Sequence, residues 1–244
     1  METNEIPPCF ERTALVAGSD MMALMAAARI TVFGVGGVGS WCVEALARSG
    51  IGNITIVDPD EVAMSNVNRQ LPALHSTVGR PKVEVVARRI ADINPAAKVT
   101  AIQGRYTPDN GASFNLAEQD FVIDAIDSLA DKADLILRCN DPATAPRTAF
   151  YSSMGAARKL DPAKIRTAEF WKVDGCPLAR ALRTRFRRSG IFPRRKFQCV
   201  YSPETLPHRL NDDSGANGTF AHATAIFGLP LASLVITRLY NSHD

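Results

Sequence analysis

Six residues between Gly34 and Gly39, read Gly-Val-Gly-Gly-Val-Gly, follow the strand-like run Arg29–Phe33 and precede a stretch with helical spacing. Gly34, Gly36, Gly37 and Gly39 let the chain turn tightly and bring backbone N–H groups close to a phosphate at a helix N-terminus. Asp58 stands at the end of the next strand-like run, Asn53–Val57, where its carboxylate can accept hydrogen bonds from ribose hydroxyls. By itself this pattern predicts a nucleotide site, with a dinucleotide such as NAD as the default occupant.

The residues that follow add charge of a kind NAD does not need. Ser65-Asn66-Val67-Asn68-Arg69-Gln70 and then Gly79-Arg80-Pro81-Lys82 place a guanidinium and an ammonium beyond the loop. ATP carries more charge than a dinucleotide pyrophosphate, and a departing pyrophosphate develops more still. Arg69 suits that task as a planar fork and Lys82 as a point charge. Asp127, followed by Ser128, comes just after the strand Phe121–Asp124, where a carboxylate could hold Mg²⁺. The expected cofactors are therefore ATP and Mg²⁺.

These residues need a scaffold that brings loops together. Strand-like runs at Arg29–Phe33, Asn53–Val57, Val99–Ile102, Phe121–Ile123 and Ala149–Ser153 alternate with helical stretches at Trp41–Ser49, Pro81–Asn94 and Asp131–Cys139. That alternation predicts an α/β fold, a doubly wound and mostly parallel sheet, with ligands beyond the carboxyl ends of the strands. The expected organisation is a helical arm over residues 1–28 and a Rossmann-like nucleotide-binding core over 29–160. A mixed part over 161–244 completes the same domain. It holds a strand near Phe197–Tyr201, a polar loop over Asn211–Gly218 and a final buried helix in Phe220–Ile236.

The 244 residues have 46% apolar and 22% charged content, enough for a core without disulfides or metal. Cys9, Cys42, Cys139, Cys176 and Cys199 include no C-x-x-C pair, so zinc-ribbon spacing is absent. Scattered thiols and an N-terminus without signal-peptide order predict a cytoplasmic protein without stable membrane insertion. Cys42 is expected in the core, Cys176 as the loop thiol to test, and His222 as a satisfied core residue. His75, His208, His222 and His243 form no ligand pattern.

Charge is unevenly spread. Between Gly175 and Pro203 there are eight basic residues and no acidic ones: Arg180, Arg183, Arg185, Arg187, Arg188, Arg194, Arg195 and Lys196. Net charge is +3, and without those eight the remainder carries −5. One basic stripe on an acidic body suits a polyanion such as RNA, with Arg180, Arg183, Arg187, Arg188, Arg194 and Arg195 as candidate contacts. A solvated helix face, its arginine stems covering apolar surface, is the plain alternative.

Taken in order, Phe10-Glu11-Arg12-Thr13, the glycine loop, Ser65–Gln70, Gly79–Glu84, Ile93-Asn94-Pro95 and Asp124-Ala125-Ile126-Asp127-Ser128 resemble the ubiquitin-activating-enzyme-like (ThiF-type) family, which adenylates carboxylates. Gly39-Ser40-Trp41, Ser153-Met154-Gly155, Leu160-Asp161-Pro162, Pro177-Leu178-Ala179 and Val200-Tyr201-Ser202 are similar to the branch acting on tRNA. The resemblance implies that Ser65, Asn66, Asn68, Arg69 and Lys82 contact the triphosphate and that Asp127 organises Mg²⁺ or the α-phosphate. It also implies a homodimer in which Arg12 reaches the partner's ATP, and a tRNA bearing threonylcarbamoyladenosine as substrate. The alternative within the family is adenylation of the C-terminal glycine of a sulfur-carrier or ubiquitin-like protein. Outside it stand an NAD-dependent oxidoreductase and a nucleotide- or tRNA-binding module without turnover.

Overall fold

The structure is a computed structural model that describes residues 6–207 and 217–242. Seven strands form one sheet: β1 (Arg29–Phe33), β2 (Asn53–Asp58), β3 (Lys98–Gln103), β4 (Phe121–Asp124), β5 (Ala149–Ser153), β6 (Arg166–Glu169) and β7 (Gln198–Tyr201). Their order is β3-β2-β1-β4-β5-β7-β6, parallel throughout except for β6 against β7. Val32 of β1 sits level with Ile56 on one side and Ile123 on the other. The apolar runs of β1 and β4 are buried on both faces, as a parallel sheet covered by helices demands.

Among the described residues six α-helices accompany the sheet: α1 (Glu11–Ala27), α2 (Gly39–Arg48), α3 (Lys82–Ile93), α4 (Leu129–Cys139), α5 (Pro177–Ser189) and α6 (Ala221–Asn241). The core on one face joins Cys42 and Leu46 of α2, Val86 of α3 and Phe227 and Leu231 of α6 to Val32 and Ile56. On the other, Leu135 of α4 and Leu182 and Phe186 of α5 close over Phe33, Val122 and Phe150. Successive strands move outward from β1 in one direction and, after β4, in the other. The crevice at that reversal is where such sheets bind ligands.

The α/β expectation holds, and the mixed region proves more ordered than its sequence suggests. β6 reads Arg-Thr-Ala-Glu and lacks apolar alternation, because an edge strand gains its order from main-chain pairing. The basic stripe begins on α5, whose buried Ala179, Leu182 and Phe186 recur at helical spacing. Within α1, Gly18 takes φ 76° and ψ 166°, a break that splits the helix.

α6 is long and apolar enough to cross a membrane, yet its inner face is part of the core. Gly228 lets it cross α2 closely: a Cβ there would lie 2.4 Å from the Val38 carbonyl oxygen. His222 is exposed on its first turn, contrary to the expected core position, stacked on Phe220 with Nε2 2.8 Å from the Leu160 carbonyl. The imidazole lies at an exposed helix start, before the residues that turn inward. Of the Asn211–Gly218 loop, residues 211–216 lie outside the described residues, as do His208 and His243.

Candidate active site

A cleft of about 910 Å³ opens at the carboxyl edge of the sheet, over the reversal between β1 and β4. Gly34, Gly36, Gly37, Asp58, Arg69, Lys82, Asp127 and Ser128 all line it. Gly39 does not, and its role is steric: a Cβ there would stand 1.8 Å from the Gly34 carbonyl oxygen. Gly34 itself has φ 88° and passes so near β4 that a Cβ would meet the Ala125 oxygen at 2.7 Å. Thr224 of α6 supports the loop, lying where a Cβ on Gly37 would approach within 3.0 Å.

Asp58 is nearly buried, and its two carboxylate oxygens accept from the Val35 amide at 2.8 Å and the Asp60 amide at 3.0 Å. Burial pushes its carboxyl above the ordinary range, against the two amides and the nearby Lys82. The carboxylate thereby ties the glycine loop to the end of β2 and still faces the cleft.

Lys82 begins α3 and is 4% exposed, its Nζ 2.7 Å from Asp60 Oδ2. The Gly79-Arg80-Pro81-Lys82 motif folds back on residues 60–62. Val62 N donates to Arg80 O, Gly79 N to Val62 O and Lys82 N to Asp60 O. Gly79 has φ 82° in that turn, a conformation costly for other residues.

Arg69 Nη1 donates to the Ser65 carbonyl at 2.7 Å and to Asn68 Oδ1 at 2.8 Å. Asn68 in turn donates to Thr219 O, and Asn66 accepts from the Ala63 amide while buried. The Ser65 carbonyl and the Asn68 side chain thus brace Arg69, while Ser65, Asn66 and Asn68 are not themselves among the residues lining the cleft.

Asp127 is exposed at the mouth and has no hydrogen bond or ion pair among the described residues. Its loop rests on a fully buried pair, Lys132 Nζ to Asp124 Oδ2 at 2.8 Å. Lys132 also donates to the Ile126 carbonyl, while Asp124 accepts from Ser152 Oγ and the Ile126 amide. Arg12 lies exposed on the first turn of α1, away from the cleft of its own chain.

Arg105 and Lys159 also line the cleft, though neither stands among the sequence candidates. Arg105 binds Asp131 and Ser128. The Lys159 ammonium is buried and donates to the Ser202 and Glu204 carbonyls; burial holds its pKa below the usual range. Neither sits in a local motif, and only the fold brings them in.

The basic stripe divides. Arg183 donates to the Val173 carbonyl at 2.7 Å and lies over the Phe170 ring. Arg195 donates to the carbonyls of Cys139, Ala145 and Pro146, and Arg194 pairs with Asp141. Arg183 and Arg195 thus clasp the fold from within, which weakens their candidacy as RNA contacts. Arg180, Arg185, Arg187 and Arg188 remain exposed on α5.

A ThiF family model matches residues 10–243. The chain belongs to the ThiF family. The tRNA threonylcarbamoyladenosine dehydratase of Bacillus subtilis (strain 168) is 42% identical to it over 196 residues, covering 80% of this chain and 75% of that protein. E. coli tRNA N6-threonylcarbamoyladenosine dehydratase, solved in complex with ATP, has a TM-score of 0.86 and 38% identity, covering 96% of this chain and 94% of that one. The AMP complex has a TM-score of 0.85 and 38% identity, with 95% and 94% covered.

Among the described residues no group of three or more His, Cys, Asp or Glu could hold a metal ion. An ion held by one carboxylate and substrate phosphates needs no such cluster, and Asp127, exposed at the cleft, fits that role for Mg²⁺. Cys42, Cys139 and Cys199 are buried with their thiols pushed up by burial. Cys176, expected as a loop thiol, is 2% exposed at the start of α5, where the helix packs it into the second core. Cys9 is the exposed thiol.

Proposed function

We propose that this chain uses ATP to adenylate the carboxylate of threonylcarbamoyladenosine beside the tRNA anticodon and promotes its cyclisation. The observation that carries the reading is convergence. Eight residues from five segments of the sequence meet in one cleft, in a chain similar over nearly its whole length to a dehydratase solved with ATP. A substrate carboxylate oxygen would attack the α-phosphorus and pyrophosphate would leave. A ureido nitrogen or oxygen of the same substituent would then attack the acyl carbon, expelling AMP with net loss of water.

Nucleophile and acceptor both belong to the substrate, so the protein's work is positioning and charge stabilisation. The glycine-loop amides and the α2 N-terminus would take the phosphates, Asp58 the ribose, and Arg69 and Lys82 the charge that develops on pyrophosphate. Asp127 would hold Mg²⁺, whose chemistry is to neutralise phosphate oxygens. Arg12 would complete the site of a second copy in a cytoplasmic homodimer, which fits its position outside its own cleft.

Incubation with ATP, Mg²⁺ and tRNA carrying the open-chain nucleoside should lower the nucleoside mass by one water. An unchanged mass, together with pyrophosphate exchange driven by a sulfur-carrier protein, would transfer the reading to the alternative activity.

RNA contact is assigned to the exposed face of α5. Arg187→Gln with Arg188→Gln should weaken tRNA binding and reduce the slope of log affinity on log salt by about two. Arg183→Gln should instead lower thermal stability, because its guanidinium is held by internal carbonyls. A titration of affinity against salt for both variants separates the two roles.

A further inference from the structure

The loop after β3, a strand that pairs with β2 on the side away from β1, brings an arginine into the lining of the cleft. The cleft lining includes an apolar wall of Phe33, Val57, Tyr106 and Ile126. With phosphates at the glycine loop and ribose at Asp58, a nucleotide's base must lie against this wall. Arg105 stands at its rim. Its Nε donates to Asp131 Oδ2 at 2.8 Å, and its Nη2 lies 2.7 Å from the same oxygen and 3.2 Å from Ser128 Oγ.

The two partners differ in exposure in an informative way. The Asp131 side chain is 7% exposed and the Arg105 side chain 62%. The anchor is buried while the arginine side chain is largely open, with the Nε–Nη2 edge of its guanidinium held by Asp131. The strap joins the loop after β3 to the start of α4, through Ser128 at its N-cap and Asp131 in its first turn. Tyr106 next to it is immobilised by its hydroxyl bond to Asp134 at 2.7 Å and by edge packing on Phe33. The backbone carrying Arg105 is therefore held firmly.

We propose that Arg105 is a base-binding residue whose guanidinium, held by Asp131 and Ser128, stacks on the purine of the bound nucleotide. Asp131 is its positioning residue. The assignment rests on the reading that the cleft takes ATP. A guanidinium plane attracts a π-face whether or not phosphate is present. That separates this role from simple attraction of polyphosphate.

The experiment is isothermal titration calorimetry of the full chain with ATP, AMP and tripolyphosphate, the last carrying charge without a base. Arg105→Ala should weaken ATP and AMP about tenfold while changing tripolyphosphate less than about twofold. Arg105→Lys, which keeps the charge and loses the plane, should resemble Arg105→Ala. Asp131→Asn should weaken ATP by about threefold with no loss of melting temperature. Unchanged ATP and AMP affinities in Arg105→Ala would overturn the proposal, as would equal weakening of all three ligands or full rescue by lysine. Base-dependent weakening in a protein that leaves tRNA nucleoside mass unchanged would uphold Arg105 and sink the dehydratase reading instead.

Discussion

Lys82→Ala should lower turnover by about two to three orders of magnitude, the effect of removing one preorganised donor from a developing oxyanion. Lys82 is a nearly buried cation at the start of α3, aimed into the cleft and held by Asp60. A charge in such a place stabilises developing phosphate charge more than a solvated one, because little water competes for it. The fold should tolerate the change, since the Asp60 side chain is 62% exposed and can return to water. Single-turnover measurement of AMP release tests this alongside a melting curve. Normal release from a folded Lys82→Ala protein would remove Lys82 from the site.

The second large effect is on stability. Lys132 and Asp124 are both fully buried and paired at 2.8 Å. Lys132→Met keeps the length of the side chain and leaves the Asp124 carboxylate with only Ser152 Oγ and the Ile126 amide. Removing one member of such a pair costs about 3–5 kcal/mol, because the remaining charge stays desolvated. For a chain of this size that corresponds to a fall of about 10 °C in melting temperature. Adding Asp124→Asn should recover part of the loss, since the orphaned charge is then gone. A melting curve within about 2 °C of the parent for Lys132→Met alone would show that the carboxylate finds another partner. The same variant should weaken ATP binding, because Lys132 also holds the Ile126 carbonyl beneath Asp127.

The sequence alone determined the parts whose chemistry is local. A glycine loop between an apolar strand and a helix has few other uses, and its spacing to Asp58 follows from strand geometry. The central strands were legible because burial on both faces leaves near-continuous apolar runs. That Arg69, Lys82 and Asp127 would share one cleft was legible from the motifs that hold them.

Tertiary structure decided what depends on distant partners. β6 exists because β7 offers it main-chain bonds, and nothing in Arg-Thr-Ala-Glu announces that. The eight basic residues look alike in sequence, yet Arg183 and Arg195 face inward to carbonyls that only the folded chain presents. The Ser65 carbonyl and the Asn68 side chain brace the Arg69 guanidinium, a support that only the folded turn reveals. Arg105 and Asp131 lie 26 positions apart, one on the loop after β3 and the other in the first turn of α4. Their pairing arises from the sheet order, which brings the ends of β3 and β4 to a single cleft.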